Sequence, residues 1–222
     1  MNEDTLIAVF GYGHSQVRPD DWDYKQSGDE GRIRMLLPYY EHHKCPVVIM
    51  SPSDAPIKVM GPHICRQAGK RAYTGQESLD RQRDHLRILL EYPFKHYLLN
   101  DSDSCCFEPE IPRYLYDDCD NVFWSNEITE PRPHESPYPK IALHPPYFLT
   151  RQTLETMLSV ADKIMAHPIT PFIDHYMLQL VCESGVQHKS FLDYITDRRI
   201  MLHPVKTWSD LELCQCKQTT KS

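Results

Sequence analysis

The sequence predicts an α/β fold in which a mostly parallel central sheet is flanked by helices. Three observations carry this. Apolar runs of strand type at 5–13, 46–51, 95–103 and 121–126 alternate with helix-type stretches through the first 125 residues. Gly is scarce, at 8 residues, and Pro frequent, at 18, so loops are numerous but stiff. Two of the strands run straight into residues suited to chemistry: Gly11 and Gly13 after the first, and Asp101 and Asp103 at the end of "HYLLNDSD".

Taken in order, "TLIAVFGYG" (5–13) reads as a buried strand running into a turn. The stretch 29–43 reads as a helix with Ile33, Leu36, Leu37 and Tyr40 on one face, bent or split at Pro38. "PVVIMS" (46–51) is a second strand, and 52–75 a loop region with a short strand expected at Ile57–Met60. The clearest helix is 74–93, where Leu79, Arg83, Leu86 and Leu90 recur at helical spacing and Pro93 follows the end. After the strand at 95–103 come a short helix near Pro109, a strand at 121–126 and a polar, Pro-rich loop at 130–140. The stretch 147–166 is a brief extended piece and then a helix with Thr150 as N-cap. A further helix at 170–185 closes on Gly185, ahead of a tail whose end is polar.

The 222 residues carry a net charge of −7, which argues against a nucleic-acid binder that relies on a wide basic surface. No apolar run approaches the ~18 residues of a membrane span, and the acidic start is unlike a signal peptide. The eight Cys show no CxxC pattern, which suits reduced thiols in a cytoplasmic protein. Cys214 and Cys216 form one isolated CxC pair, a weak metal signal.

On a strand, residues i and i+2 share a face, so Asp101 and Asp103 can converge. Two approaching carboxylates repel unless a cation or a shared proton intervenes. A hard divalent ion, Mn²⁺ or Mg²⁺, takes oxygen ligands and leaves places for phosphate oxygens. The competing account is a solvated turn, since Asn, Asp and Ser are turn formers.

The segment from Ser78 to Leu115 resembles the central block of GT-A glycosyltransferases, in which a helix leads into a strand that ends in a DxD motif. Further stretches are similar to that family's landmarks in order: "IAVFGYG", "PPYFLTRQTLETML", "PFIDHYML" and "IMLHPVKTW". Two departures stand out. Ile173 occupies a position where the family usually has an acid, and His144-Pro145-Pro146 replaces glycines that often precede the acceptor-side helix.

The resemblance implies one GT-A-like domain over 1–222. About 1–125 would bind the nucleotide sugar, about 126–210 would form the acceptor side, and 211–222 would be a tail. It implies Asp103 as direct metal ligand, Asp101 as a ligand through water or a contact to ribose or sugar, and His203 as a metal ligand or diphosphate contact. Gly11, Tyr12, Arg81, Asp84 and Ser102 would contact the nucleotide sugar, with Trp124 and Trp208 as candidates to line the acceptor side. Asp174 would take the acceptor's hydroxyl proton if the reaction inverts the anomeric centre. The implied activity is transfer of a sugar from a nucleotide sugar, of UDP type, to a hydroxyl on a glycan, a small molecule or a hydroxymethylated DNA base. For a DNA acceptor, 66–71 and 196–199 are the basic patches available.

Two other readings compete. A sugar-phosphate nucleotidyltransferase would use a related sheet with a long Gly-rich basic loop after the first strand. The corresponding "GYGHSQVRPDD" has Arg18 and then Asp20 and Asp21, with Asp23 just beyond. A non-catalytic nucleotide-binding protein of the same fold would bind nucleotide without regard to Mn²⁺.

Overall fold

The structure is a computed structural model that describes residues 4–11, 29–57, 63–72, 75–106, 111–117, 119–129, 141–166, 168, 172–191 and 201–202. Its frame is a seven-stranded sheet. The strands are β1 (Thr5–Phe10), β2 (Val47–Ser51), β3 (Ile64–Gln67), β4 (His96–Asp101), β6 (Val122–Thr129), β7 (Ile141–Thr150) and β8 (Gln187–Ser190). They lie in the order β3-β2-β1-β4-β7-β6-β8. β3, β2, β1 and β4 run parallel, β7 is antiparallel to both its neighbours, and β8 runs parallel to β6. A small second sheet pairs β5 (Cys105–Cys106) with β9 (Met201–Leu202).

Alternation along the strands separates two cores. Ile7, Val9, Ile49, Leu98 and Phe148 face α1 (Asp29–His42) and α3 (Arg113–Asp117), which contribute Ile33, Leu36, Tyr40 and Leu115. Leu6, Ala8, Phe10, Val48, Tyr97 and Leu99 face the opposite layer. That layer is α2 (Gln76–Leu89), α4 (Arg151–Ser159), α5 (Ala161–Ala166) and α6 (Ile173–Ser184). β1 and β2 are buried on both faces, which is why they read as unbroken apolar runs. Each fully buried Leu, Ile or Phe contributes about 1.5–3 kcal/mol relative to an exposed one. Thr150 caps α4 by accepting the Thr153 N–H at 3.1 Å, and Gly185 closes α6 at φ 71°.

Several elements differ from the sequence expectation. β1 ends at Phe10, and the residues after Gly11 lie outside the described ones until Asp29. α1 continues through Pro38 as one helix. The third strand is Ile64–Gln67; of the strand expected at 57–60 only Ile57 is described, and it is not in a strand. β7 is a ten-residue strand rather than a brief extended piece. Its prolines are tolerated because the β6–β7 register shifts between Trp124 and Asn126, where the Asn126 side-chain N–H donates to the Pro145 carbonyl at 3.0 Å. α4 and α5 divide one expected helix, and β8 falls in the expected tail.

Candidate functional site

The carboxyl ends of β1, β2 and β4 lie side by side, with Phe10 in register with both Met50 and Asp101. In a parallel sheet this rim is where ligands bind. Gly11 continues the ladder by donating its N–H to the Met50 carbonyl at 2.8 Å. A Cβ there would fall 2.5 Å from Ile57 Cδ1, so glycine leaves room for the Ile57 side chain against the end of β1.

β4 stops at Asp101 because the next residues fold back. The Asp101 N–H donates to Ser104 Oγ at 2.8 Å, and the Ser104 N–H donates to the Asp101 carbonyl at 3.1 Å. Asp103 therefore belongs to a turn, so the strand alternation expected to align it with Asp101 does not extend that far. Helix α1 holds this turn along one face. Ser102 Oγ donates to Asp29 Oδ1 at 2.9 Å, and Arg32 Nη1 donates to Asp103 Oδ2 at 2.8 Å. Tyr40 Oη donates to the Ser104 carbonyl at 2.8 Å, and His43 Nε2 lies 3.0 Å from the Cys106 carbonyl. Residues 29, 32 and 40 fall on one stripe of α1, and His43 sits just past its end, so α1 and the residue after it line the whole turn. Asp29 in the first turn of α1 also meets the positive end of the helix dipole.

On the other side of the rim, Tyr147 of β7 is fully buried and donates to the Leu143 carbonyl at 2.8 Å. Burial raises its phenol far above the ordinary range, and the nearby Asp174 and Asp101 carboxylates raise it further. The end of β4 and the start of α6 thus each contribute a carboxylate to the electrostatic surroundings of this phenol. Asp174 Oδ2 also lies 3.7 Å from His144 Nε2.

Arg81 and Asp84 both lie on α2. Arg81 is wholly buried and donates from Nη1 to the Lys70 carbonyl at 2.9 Å, so it ties down the loop after β3. Asp84 is part-exposed and pairs with Arg83 at 3.3 Å. Trp124 is buried in the α1-side core, where its ring meets Tyr114 and Phe191, so it lines no open surface. Tyr12, His203 and Trp208, like the Cys214–Cys216 pair, lie outside the described residues. The sequence reading passed over Asp29, Arg32 and His43, and took Tyr40 only as part of an apolar face. Their one-stripe spacing was legible, but it was read for its apolar members only.

A divalent ion is often held by one or two carboxylates and completed by substrate phosphates. Asp101 and Asp103 are the two carboxylates at the end of β4, and Arg32 engages one Asp103 oxygen. Among the described residues no group of three His, Cys, Asp or Glu gathers to hold an ion.

Solved structures share this architecture. A 4-diphosphocytidyl-2C-methyl-D-erythritol synthase superposes with a TM-score of 0.51 at 14% identity, over 84% of this chain and 87% of that one. The fold is common to both. A 2-C-methyl-D-erythritol 4-phosphate cytidylyltransferase from Thermus thermophilus gives 0.49 at 13% identity, over 99% of this chain and 100% of that one. The enzyme of the same description from Francisella tularensis gives 0.48 at 6%, over 95% and 98%. No protein-family model and no curated protein matches the sequence. Among the described residues no helix is long and apolar enough to cross a membrane.

Proposed function

We propose that this chain is a divalent-metal-dependent transferase acting on a nucleotide-linked substrate, and that it moves a sugar from a nucleotide sugar of UDP type to a hydroxyl. The observation that supports the reading is the placement of Asp101 at the carboxyl end of β4, in register with Phe10 at the end of β1, on the rim where parallel sheets take ligands. Asp101 and Asp103 would hold Mn²⁺ or Mg²⁺, with His203 as a further ligand. The ion supplies electrostatic stabilisation of the departing diphosphate. The α1 contacts keep the Asp103 turn in place before substrate arrives, which lowers the ordering cost of binding. Gly11, Tyr12 and Ser102 would meet the nucleotide, and Asp174 would receive the acceptor proton. Of the basic residues offered to a DNA acceptor, Arg66 is already paired with Glu91 at 2.6 Å and lies 3.3 Å from Tyr92 Oη.

The shared fold supports a second reading, nucleotidyl transfer, since the synthase with which the chain superposes is named for a diphosphocytidyl product. The two readings separate in one experiment. The protein is incubated with Mn²⁺ and a panel of nucleotide sugars, and separately with nucleoside triphosphates and sugar phosphates. Release of nucleoside diphosphate from the first set, lost in Asp103→Ala with an unchanged circular dichroism spectrum, supports sugar transfer. Pyrophosphate release from the second set alone replaces it with nucleotidyl transfer. Nucleotide binding indifferent to Mn²⁺, with neither product, leaves the non-catalytic reading.

A further inference from the structure

We propose that His144 is a positioning residue for Asp174, holding that carboxylate oriented and ionised to receive the acceptor's proton; this rests on the sugar-transfer reading above. His144 Nε2 lies 3.7 Å from Asp174 Oδ2, and the two side chains are 14% and 32% exposed. The carboxylate is the more open member and the ring the more enclosed one, so substrate reaches Asp174 first. A separation of 3.7 Å is longer than a hydrogen bond, as catalytic contacts often are before substrate is bound. The pair is held by two different elements, β7 and the first turn of α6, and β7 packs directly on α6.

In the transfer step the acceptor oxygen bonds to the anomeric carbon, and the bond from that carbon to the diphosphate oxygen breaks. Its electron pair leaves with the nucleoside diphosphate, and the hydroxyl proton passes to the Asp174 carboxylate. A neighbouring imidazolium favours the ionised carboxylate, so His144 keeps Asp174 ready to accept at lower pH than it would alone. Other titratable groups border the pair. His175 follows Asp174 on α6, and Tyr147 lies on the same strand as His144, near Asp101 of β4. β6 places Asn126 opposite His144, and the adjacent Glu127 lies 3.7 Å from His188 of β8.

The test is the pH dependence of Mn²⁺-dependent hydrolysis of UDP-glucose, or of whichever nucleotide sugar the panel selects, with water as acceptor. In His144→Gln the acid limb of kcat moves up by about one pH unit, the effect of one nearby charge in a half-exposed setting, while KM for the donor is unchanged. A limb that stays at the wild-type position, whatever the absolute rate, overturns the proposal. His144→Asn provides the same comparison if the glutamine variant melts early. The pair is also read without turnover, by NMR titration of the His144 ring in wild type and Asp174→Asn. Differing curves support the coupling, and superimposable curves overturn it. If no nucleotide sugar is hydrolysed, the sugar-transfer reading falls and the ring titration still decides the pair.

Discussion

Lowering the pH should destabilise this protein through one buried imidazole. His85 of α2 stacks on Phe10, the last residue of β1, with ring centroids 5.5 Å apart and planes 6° from parallel. Burial, aided by the Arg81 guanidinium, lowers its pKa to about 3, against about 6.5 in an unfolded chain. The folded state therefore keeps His85 neutral while the unfolded state protonates. The associated stability is fully present above about pH 6.5 and is lost as the pH falls towards about 3. Linkage gives about 2 kcal/mol lost between pH 7 and pH 5, and roughly 5 kcal/mol once both states are protonated. His43 and His96 are lowered in the same direction by burial and steepen the total. Urea unfolding of wild type and His85→Leu at pH 7, 6 and 5 isolates the one residue. The stability difference between the two proteins should change by about 2 kcal/mol in the leucine variant's favour over that range. Parallel decline of both would refute the argument. The result also sets the lowest pH at which an acid limb of activity reports on Asp174 rather than on unfolding.

Arg32→Ala leaves Asp103 without a guanidinium in a pair whose side chains are only 8% and 14% exposed. A loss of about 3 kcal/mol in unfolding free energy is expected, with weaker Mn²⁺-dependent turnover; Arg32→Lys should recover part of both. Calorimetry and the hydrolysis assay check this, and an unchanged melting temperature in Arg32→Ala would contradict it. Gly69→Ala should cost about 3 kcal/mol. Its backbone has φ +62°, and an added Cβ would fall 2.6 Å from Arg81 Cβ and 2.9 Å from Arg81 Cα. Chemical denaturation gives the value, and a loss near zero would mean that the β3 loop and α2 part easily.

The strands buried on both faces were legible because an apolar run bounded by turn residues leaves few alternatives. β1, β2 and β4 appeared within a few residues of where they lie, and Thr150 acted as the cap its position implied. β7 was harder. Two prolines argue against a strand, and only the register shift opposite Trp124–Asn126 makes room for them. β3 was missed because "ICRQ", an edge strand with part-exposed side chains, carries no apolar signature. Asp101 and Asp174 were visible as residue types near element ends. Their common influence on the buried Tyr147 phenol was not, because 73 positions separate them in the chain. Arg32 went unread because a basic residue on a helix is most often a solvated one.

The linear pattern was enough to settle the layer architecture and to mark the end of β4 as a chemically unusual place. Both depend on local periodicity, and periodicity is written in neighbouring residues. Tertiary structure decided which charges meet: Asp103 with Arg32, and Asp174 with His144. Such encounters depend on the order of strands in the sheet and on which helix covers which face, and no stretch of adjacent residues encodes that order.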